Sequence, residues 1–233
     1  MVTLKISERL KTISKYVPFN YITADIGTDH GYLLRYLFDE EKIEKAFACD
    51  LNIKPLNYAK MNLSKYIETG RIELRLGSGL NPLKEEDGVE CIVIAGMGGK
   101  TMIEILEEGK DILQGVKRIV LAPNASWEIL RKYIIDEDYI IIDEDLVLED
   151  SRFYPIIIIE KGRSSKLTET ELFLGPRLIE KKHYLLKDFF AYEKERTDKN
   201  ILKMEKSRNV ETIDRINEMK NKWSEMSRCL NEF

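Results

Sequence analysis

Short apolar runs recur along the first two thirds of the chain, at 22–26, 44–49, 72–76, 91–95 and 118–122, each of strand length and each ended by Gly, Asp or Pro. Runs of this kind predict buried parallel strands. Between them, residues 32–38, 54–66, 100–113 and 126–135 carry apolar positions at helical spacing, with Pro55 in a first turn and Ser126 placed as an N-cap. Alternating strand and helix predicts a doubly wound α/β sheet. Two longer β-rich runs, 139–148 and 154–160, flank Glu149-Asp150-Ser151-Arg152-Phe153 and predict a hairpin that closes one edge of the sheet.

After Gly162-Arg163-Ser164-Ser165 the strand pattern stops and charged residues alternate with apolar ones. A domain boundary is expected here, with 1–162 as the sheet domain and 163–233 as a helical one. Ile216, Met219, Trp223, Met226 and Leu230 are spaced three, four, three and four apart, the seam of a helical coiled coil formed within the chain or between chains. Leu186, Phe190 and Glu193 mark a partner helix, and Thr197-Asp198-Lys199-Asn200 is the expected break between the two. Plain helix-to-helix core is the preferred reading of the stripe over any cofactor role. A monomer is expected, with a coiled-coil dimer as the alternative.

Composition narrows the setting. With 233 residues and 43% hydrophobic content, the chain can bury one full core and still have a smaller element left over. It holds no eighteen consecutive apolar residues and opens on charged, helix-like sequence where a signal peptide would need an apolar stretch, so a cytoplasmic protein is expected, away from membranes. Cys49, Cys91 and Cys229 are too scattered for a disulfide framework or a thiolate metal site, and two histidines are too few for a His-rich metal site or a triad; no metal is expected. The net charge of −4 hides an asymmetry. Residues beyond Glu160 carry 17 Lys and Arg against 13 Asp and Glu, whereas residues up to it carry 20 against 28. A basic tail on an acidic body suits a nucleic-acid partner, and equally suits a solvated helical face.

Candidate chemistry lies at the strand ends. Asp25-Ile26-Gly27-Thr28-Asp29-His30-Gly31 joins the first strand to the first helix of the sheet, where doubly wound folds bind nucleotides. A dinucleotide fingerprint needs glycine where Asp29 stands, and a carboxylate there would repel a pyrophosphate. The expected ligand carries positive charge, a requirement that the sulfonium and ammonium of S-adenosylmethionine meet. The plainer alternative is that Asp29 caps the next helix. Asp50, ending the second strand, is placed to accept ribose hydroxyls, to cap the helix near Lys54, or both. Ser78 and Gly79 follow the third strand, where an adenine ring would lie. Ala95, Gly96 and Met97 end the fourth, in a Gly-rich stretch whose spacing before Gly99-Lys100-Thr101 is too short for a phosphate-binding P-loop.

The runs I-T-A-D-I-G-T-D-H-G-Y-L from Ile22, A-C-D from Ala48, I-A-G-M-G-G from Ile94, A-P-N from Ala122 and E-D-S-R-F-Y from Glu149 together resemble the bacterial TrmK family. Five parallel strands with a closing hairpin is likewise the Rossmann-like sheet of class I methyltransferases. The resemblance covers nearly the whole chain. It implies a tRNA (adenine-N1)-methyltransferase acting on position 22, with S-adenosylmethionine as cofactor and a C-terminal coiled-coil domain. Ser78, Ala122 and Pro155 stand where that family usually carries Asp, Gln and Glu. Leu51, Asp25, Gly27, Thr28 and His30 join the strand-end residues as cofactor contacts. Asp29 is the candidate to stabilise the cationic methylated ring, and Asn124 to orient the base. For RNA the basic candidates are Lys5, Arg9, Lys15 and Arg35, with Lys181, Lys182, Lys187, Arg196, Lys199 and Lys203 in the tail. Two rivals remain open at this level: a methyltransferase of another substrate class, and a non-catalytic RNA-binding scaffold.

Overall fold

The computed structural model describes residues 6–204 and 210–231, and the chain divides into two compact units, Met1–Ser165 and Lys166–Phe233. The first unit holds α1 (Glu8–Tyr16), β1 (Thr23–Ile26), α2 (Tyr32–Asp39), β2 (Ala46–Asp50), α3 (Ile53–Asn62), α4 (Ser64–Glu68) and β3 (Ile72–Leu76). It continues with β4 (Cys91–Ala95), α5 (Gly99–Glu108), β5 (Arg118–Ala122), α6 (Trp127–Asp136), β6 (Tyr139–Glu149) and β7 (Arg152–Lys161). The strands form one sheet in the order β3-β2-β1-β4-β5-β7-β6. Strands β1 to β5 are parallel and β7 alone runs against them, inserted between β5 and β6. This is the α/β, Rossmann-like sheet that the apolar runs predict. Burial along the whole of β1 and β2 explains why they read as unbroken apolar runs, since helices cover both faces of a parallel sheet. The strand order reverses between β1 and β4, and that switch opens a crevice beyond their carboxyl ends.

Several boundaries differ from expectation, each for a physical reason. The hairpin turn is two residues, Asp150 and Ser151, both left-handed at φ 49° and 60°, a type I′ geometry that matches strand twist. Glu149, Arg152 and Phe153 therefore pair within the strands instead of lying in a five-residue loop. The helix expected over 54–66 divides at Leu63 into α3 and α4, and α5 stops at Gly109, short of residue 113. Ser126 occupies the N-cap position of α6, yet makes no side-chain cap and sits at φ 60°. Its loop is shaped by docking on the start of α5: the Gly99 N–H donates to the Ala125 carbonyl at 2.8 Å, and a Cβ on Gly99 would lie 2.3 Å from the Ser126 carbonyl oxygen.

The second unit holds α7 (Glu169–Leu174), α8 (Pro176–Glu180), α9 (Leu186–Met204) and α10 (Val210–Asn231). Thr168 and Glu171 cap α7 reciprocally. Ile216, Trp223, Met226 and Leu230 are buried, with Trp223 edge-on to Phe173 at 5.1 Å and to Phe190 at 5.2 Å. Phe189 is buried more completely than Phe190, so the partner stripe on α9 runs Leu186, Phe189, Glu193. Residues 197–200 do not break the helix. Ion pairs at helical spacing, Lys194 with Asp198 and Lys199 with Glu195, run through that stretch and support it.

In the first unit, Arg131 of α6 and Glu144 of β6 form a fully buried ion pair at 2.7 Å. Removing one partner strands the other charge. Arg131→Met is expected to cost about 3–5 kcal/mol in urea unfolding, and adding Glu144→Leu to recover most of it.

Candidate functional site

A cleft of about 720 Å3 opens at the β1/β4 switch point. Its floor is the turn after β1. Gly27 and Thr28 both donate backbone N–H groups to the Cys49 carbonyl, at 2.9 and 3.0 Å, which ties the turn to the end of β2. Gly27 has φ 73°, a left-handed conformation that favours glycine, and a Cβ there would displace the Met97 methyl at 2.4 Å. Asp29 is also left-handed, at φ 52°, a conformation unusual outside glycine and typical of functional turns.

Three carboxylates converge here. Asp25 is buried and accepts a 2.8 Å hydrogen bond from the Thr28 hydroxyl. Burial pushes its carboxyl up to about 6 against that bond, and Asp50 and Asp29 add like-charge repulsion. Asp50 accepts the backbone N–H of Asp29 at 3.2 Å through one oxygen and that of Asn52 at 2.8 Å through the other, and each oxygen keeps a lone pair for a ligand hydroxyl. It does not cap α3, whose N-cap position is Asn52. Nor does Asp29 cap α2: that position is Gly31, without a side-chain bond. The Asp29 carboxylate lies open to solvent, 3.6 Å from His30 Nε2.

All eleven residues expected to meet a cofactor line this cleft, as do Asp29 and Asn124. Asn124 is held from two sides. Its amide nitrogen donates to the Gly96 carbonyl at 2.7 Å, and its oxygen accepts from Arg9 Nη1 at 3.4 Å. Arg9 itself lies over the Tyr154 ring at 4.7 Å, and its backbone N–H donates to Glu149. Tyr154 lines the cleft too. The E-D-S-R-F-Y run supplied both partners of Arg9, but nothing in the local pattern shows that the hairpin reaches the first helix. Thr101, Glu104, Ile105 and Glu108 line the α5 side and had no assigned role; their spacing is one face of that helix.

Among the basic candidates, Arg9 alone lines the cleft. Arg35 pairs with Asp39 at 3.6 Å, Lys15 is exposed, and Lys5 lies outside the described residues, as does the side chain of Lys203. In the second unit Lys181, Lys182 and Lys187 are exposed, and Arg196 pairs with Glu193 and Lys199 with Glu195. Among the described residues, no helix is long and apolar enough to cross a membrane.

The chain is similar to known proteins in sequence and fold. A family model described as TrmK, tRNA (adenine(22)-N(1))-methyltransferase, matches residues 23–226. The tRNA (adenine(22)-N(1))-methyltransferase of Bacillus subtilis (strain 168) is 38% identical over 162 residues, covering 70% of this chain and 68% of its own. Among solved structures, Streptococcus pneumoniae Sp1610 in complex with S-adenosyl-L-methionine is similar at a TM-score of 0.82 and 30% identity, covering 97% of this chain and 99% of that one. M. capricolum TrmK in complex with S-adenosyl-homocysteine has the same TM-score and identity, covering 97% and 100%.

The raised carboxyl of Asp25 makes a test of the site's electrostatics. Its folded-state value of about 6 lies above the ordinary 3.8, so the native chain holds the extra proton between those values. The burial penalty is absent below about pH 4, grows through about pH 6 and is constant above. Asp25→Asn is expected to be more stable than wild type by up to about 3 kcal/mol above that range, with the gap closing on acidification. Urea midpoints across the window measure it, and a gap independent of pH would show that Asp25 does not titrate there.

Proposed function

Since the chain belongs to the TrmK family of tRNA (adenine(22)-N(1))-methyltransferases, we propose that the switch-point cleft joins donor and acceptor and that the residues lining it divide those tasks. The protein is an S-adenosylmethionine-dependent tRNA methyltransferase acting at N1 of adenosine 22. The observation that carries the assignment of roles is the acidic turn: Asp25, Asp29 and Asp50 around one glycine-bearing loop suit a cationic ligand and oppose a pyrophosphate. Asp25 and Thr28 form its buried base, Asp50 offers lone pairs to ribose hydroxyls, and Leu51, Ser78 and Gly79 flank the place for adenine. When bound, S-adenosylmethionine supplies an electrophilic methyl that the neutral N1 lone pair takes without prior loss of a proton.

No residue is therefore needed as a general base, and the protein's work is positioning and electrostatics. Asp29 faces the ring that becomes cationic as its N1–methyl bond forms. Asn124, fixed by Gly96 and Arg9, orients the base, and Arg9 on the Tyr154 face offers charge to the RNA backbone. The target base swings out of the folded tRNA to reach this depth. The second unit, as a helical coiled-coil domain, contacts tRNA through Lys181, Lys182 and Lys187, and the enzyme works in the cytoplasm.

Two measurements test these roles. Asp29→Ala is expected to lower kcat roughly 10- to 100-fold while calorimetry gives an unchanged S-adenosylmethionine Kd; wild-type turnover in that variant removes Asp29 from the chemistry. Replacing Lys181, Lys182 and Lys187 together by Ala is expected to flatten the dependence of log K for tRNA on log salt by about 2. An unchanged slope places the RNA elsewhere.

A further inference from the structure

The outward face of α3 is apolar where a solvated helix would be polar. Tyr58 is 53% exposed and Met61 74%, and Leu51 and Ile53 at the head of the helix are exposed as well. Lys54, Tyr58 and Met61 stand at i, i+4 and i+7, on one side. This face continues out of the cleft through a row of rings. Tyr32 and His30, which line the cleft, stack at 5.5 Å with planes 6° apart, and the Tyr58 ring lies 4.8 Å from His30 on α3, beyond the cleft lining.

Charge distinguishes the occupant. The residues up to Glu160 carry 28 acidic against 20 basic side chains, yet α3 holds Lys54 and Lys60 and no acid. Among the described residues it is the only α-helix of the first unit without one. Exposed rings on a helix that carries two lysines and no carboxylate offer an unpaired nucleotide what it needs, a π-face for its base and an ammonium for its phosphate, while Asp29 stands beside His30 at the cleft end of the row.

We propose that Tyr58, backed by the His30–Tyr32 rings, is a stacking platform for an unpaired base of the tRNA next to the methylated adenosine, with Lys54 at its phosphate. The proposal rests on the tRNA reading above and names where that substrate lies on the first unit. Swinging the target base out breaks its stacking on its neighbours. A platform beside the cleft restores stacking to the neighbour left behind, and so favours the flipped arrangement.

The test compares wild type, Tyr58→Ala and Tyr58→Phe in steady-state methylation of full-length tRNA. Tyr58→Ala is expected to raise KM for tRNA roughly tenfold with kcat near wild type, and Tyr58→Phe, which keeps the ring, to restore KM. The S-adenosylmethionine Kd should be the same in all three. With 2-aminopurine replacing the nucleotide beside the target, fluorescence should be quenched on binding wild type and brighter on binding Tyr58→Ala. An unchanged KM in Tyr58→Ala overturns the platform, as does a Phe variant no better than Ala. A parallel loss of S-adenosylmethionine affinity also overturns it, because Tyr58 then acts through His30 on the cofactor, and so does a change in sedimentation of the free protein, which assigns the face to self-association. Failure of wild type itself to methylate adenosine 22 would instead sink the functional reading, a result separate from any of these.

Discussion

The carboxylates of Asp25, Asp29 and Asp50 meet around one tight turn and make the crevice acidic. Burial raises the Asp25 carboxyl to about 6, and the other two add like-charge repulsion. The arrangement survives because backbone N–H groups of Asp29 and Asn52 hold Asp50, and the Thr28 hydroxyl holds Asp25. Everything around the turn keeps those bonds in place: Gly27 brings Met97 close, and the Cys49 carbonyl anchors the loop to β2. Like charges gathered in this way favour a cation over an anionic nucleotide in the crevice.

The donor half was legible in the sequence because it obeys local rules. Parallel strands buried on both faces print as apolar runs, their ends are marked by Gly and Asp, and ligands sit beyond those ends. That logic placed Asp25, Asp29 and Asp50 together without any knowledge of contacts. The acceptor wall obeys no local rule. Arg9, Asn124 and the pair Glu149 and Tyr154 come from three separate stretches, and only the completed sheet brings α1 against the hairpin and the β5 loop. Ser126 takes the N-cap position that its residue type predicts, but docking against Gly99 dictates its backbone and it makes no side-chain cap. In the second unit, Phe189 and Phe190 both fit a helical stripe, and the ring contacts with Phe173 and Trp223 decide how the pair is shared.

The two walls of the cleft also differ in how they use charge. On one side Asp25, Asp29 and Asp50 are crowded together. On the other, one arginine is held by a ring, an amide and a carboxylate. A reaction that moves positive charge from sulfur to a purine benefits from anionic groups near its path.

The hairpin has a consequence for the order in which the enzyme becomes competent. Residues 25 to 97 suffice to outline the donor side, whereas the bond from Arg9 to Glu149 spans 140 positions of chain. The wall that carries Arg9, Asn124 and Tyr154 is therefore complete only once both ends of the first unit are in place, and a chain ending at β5 would lack it.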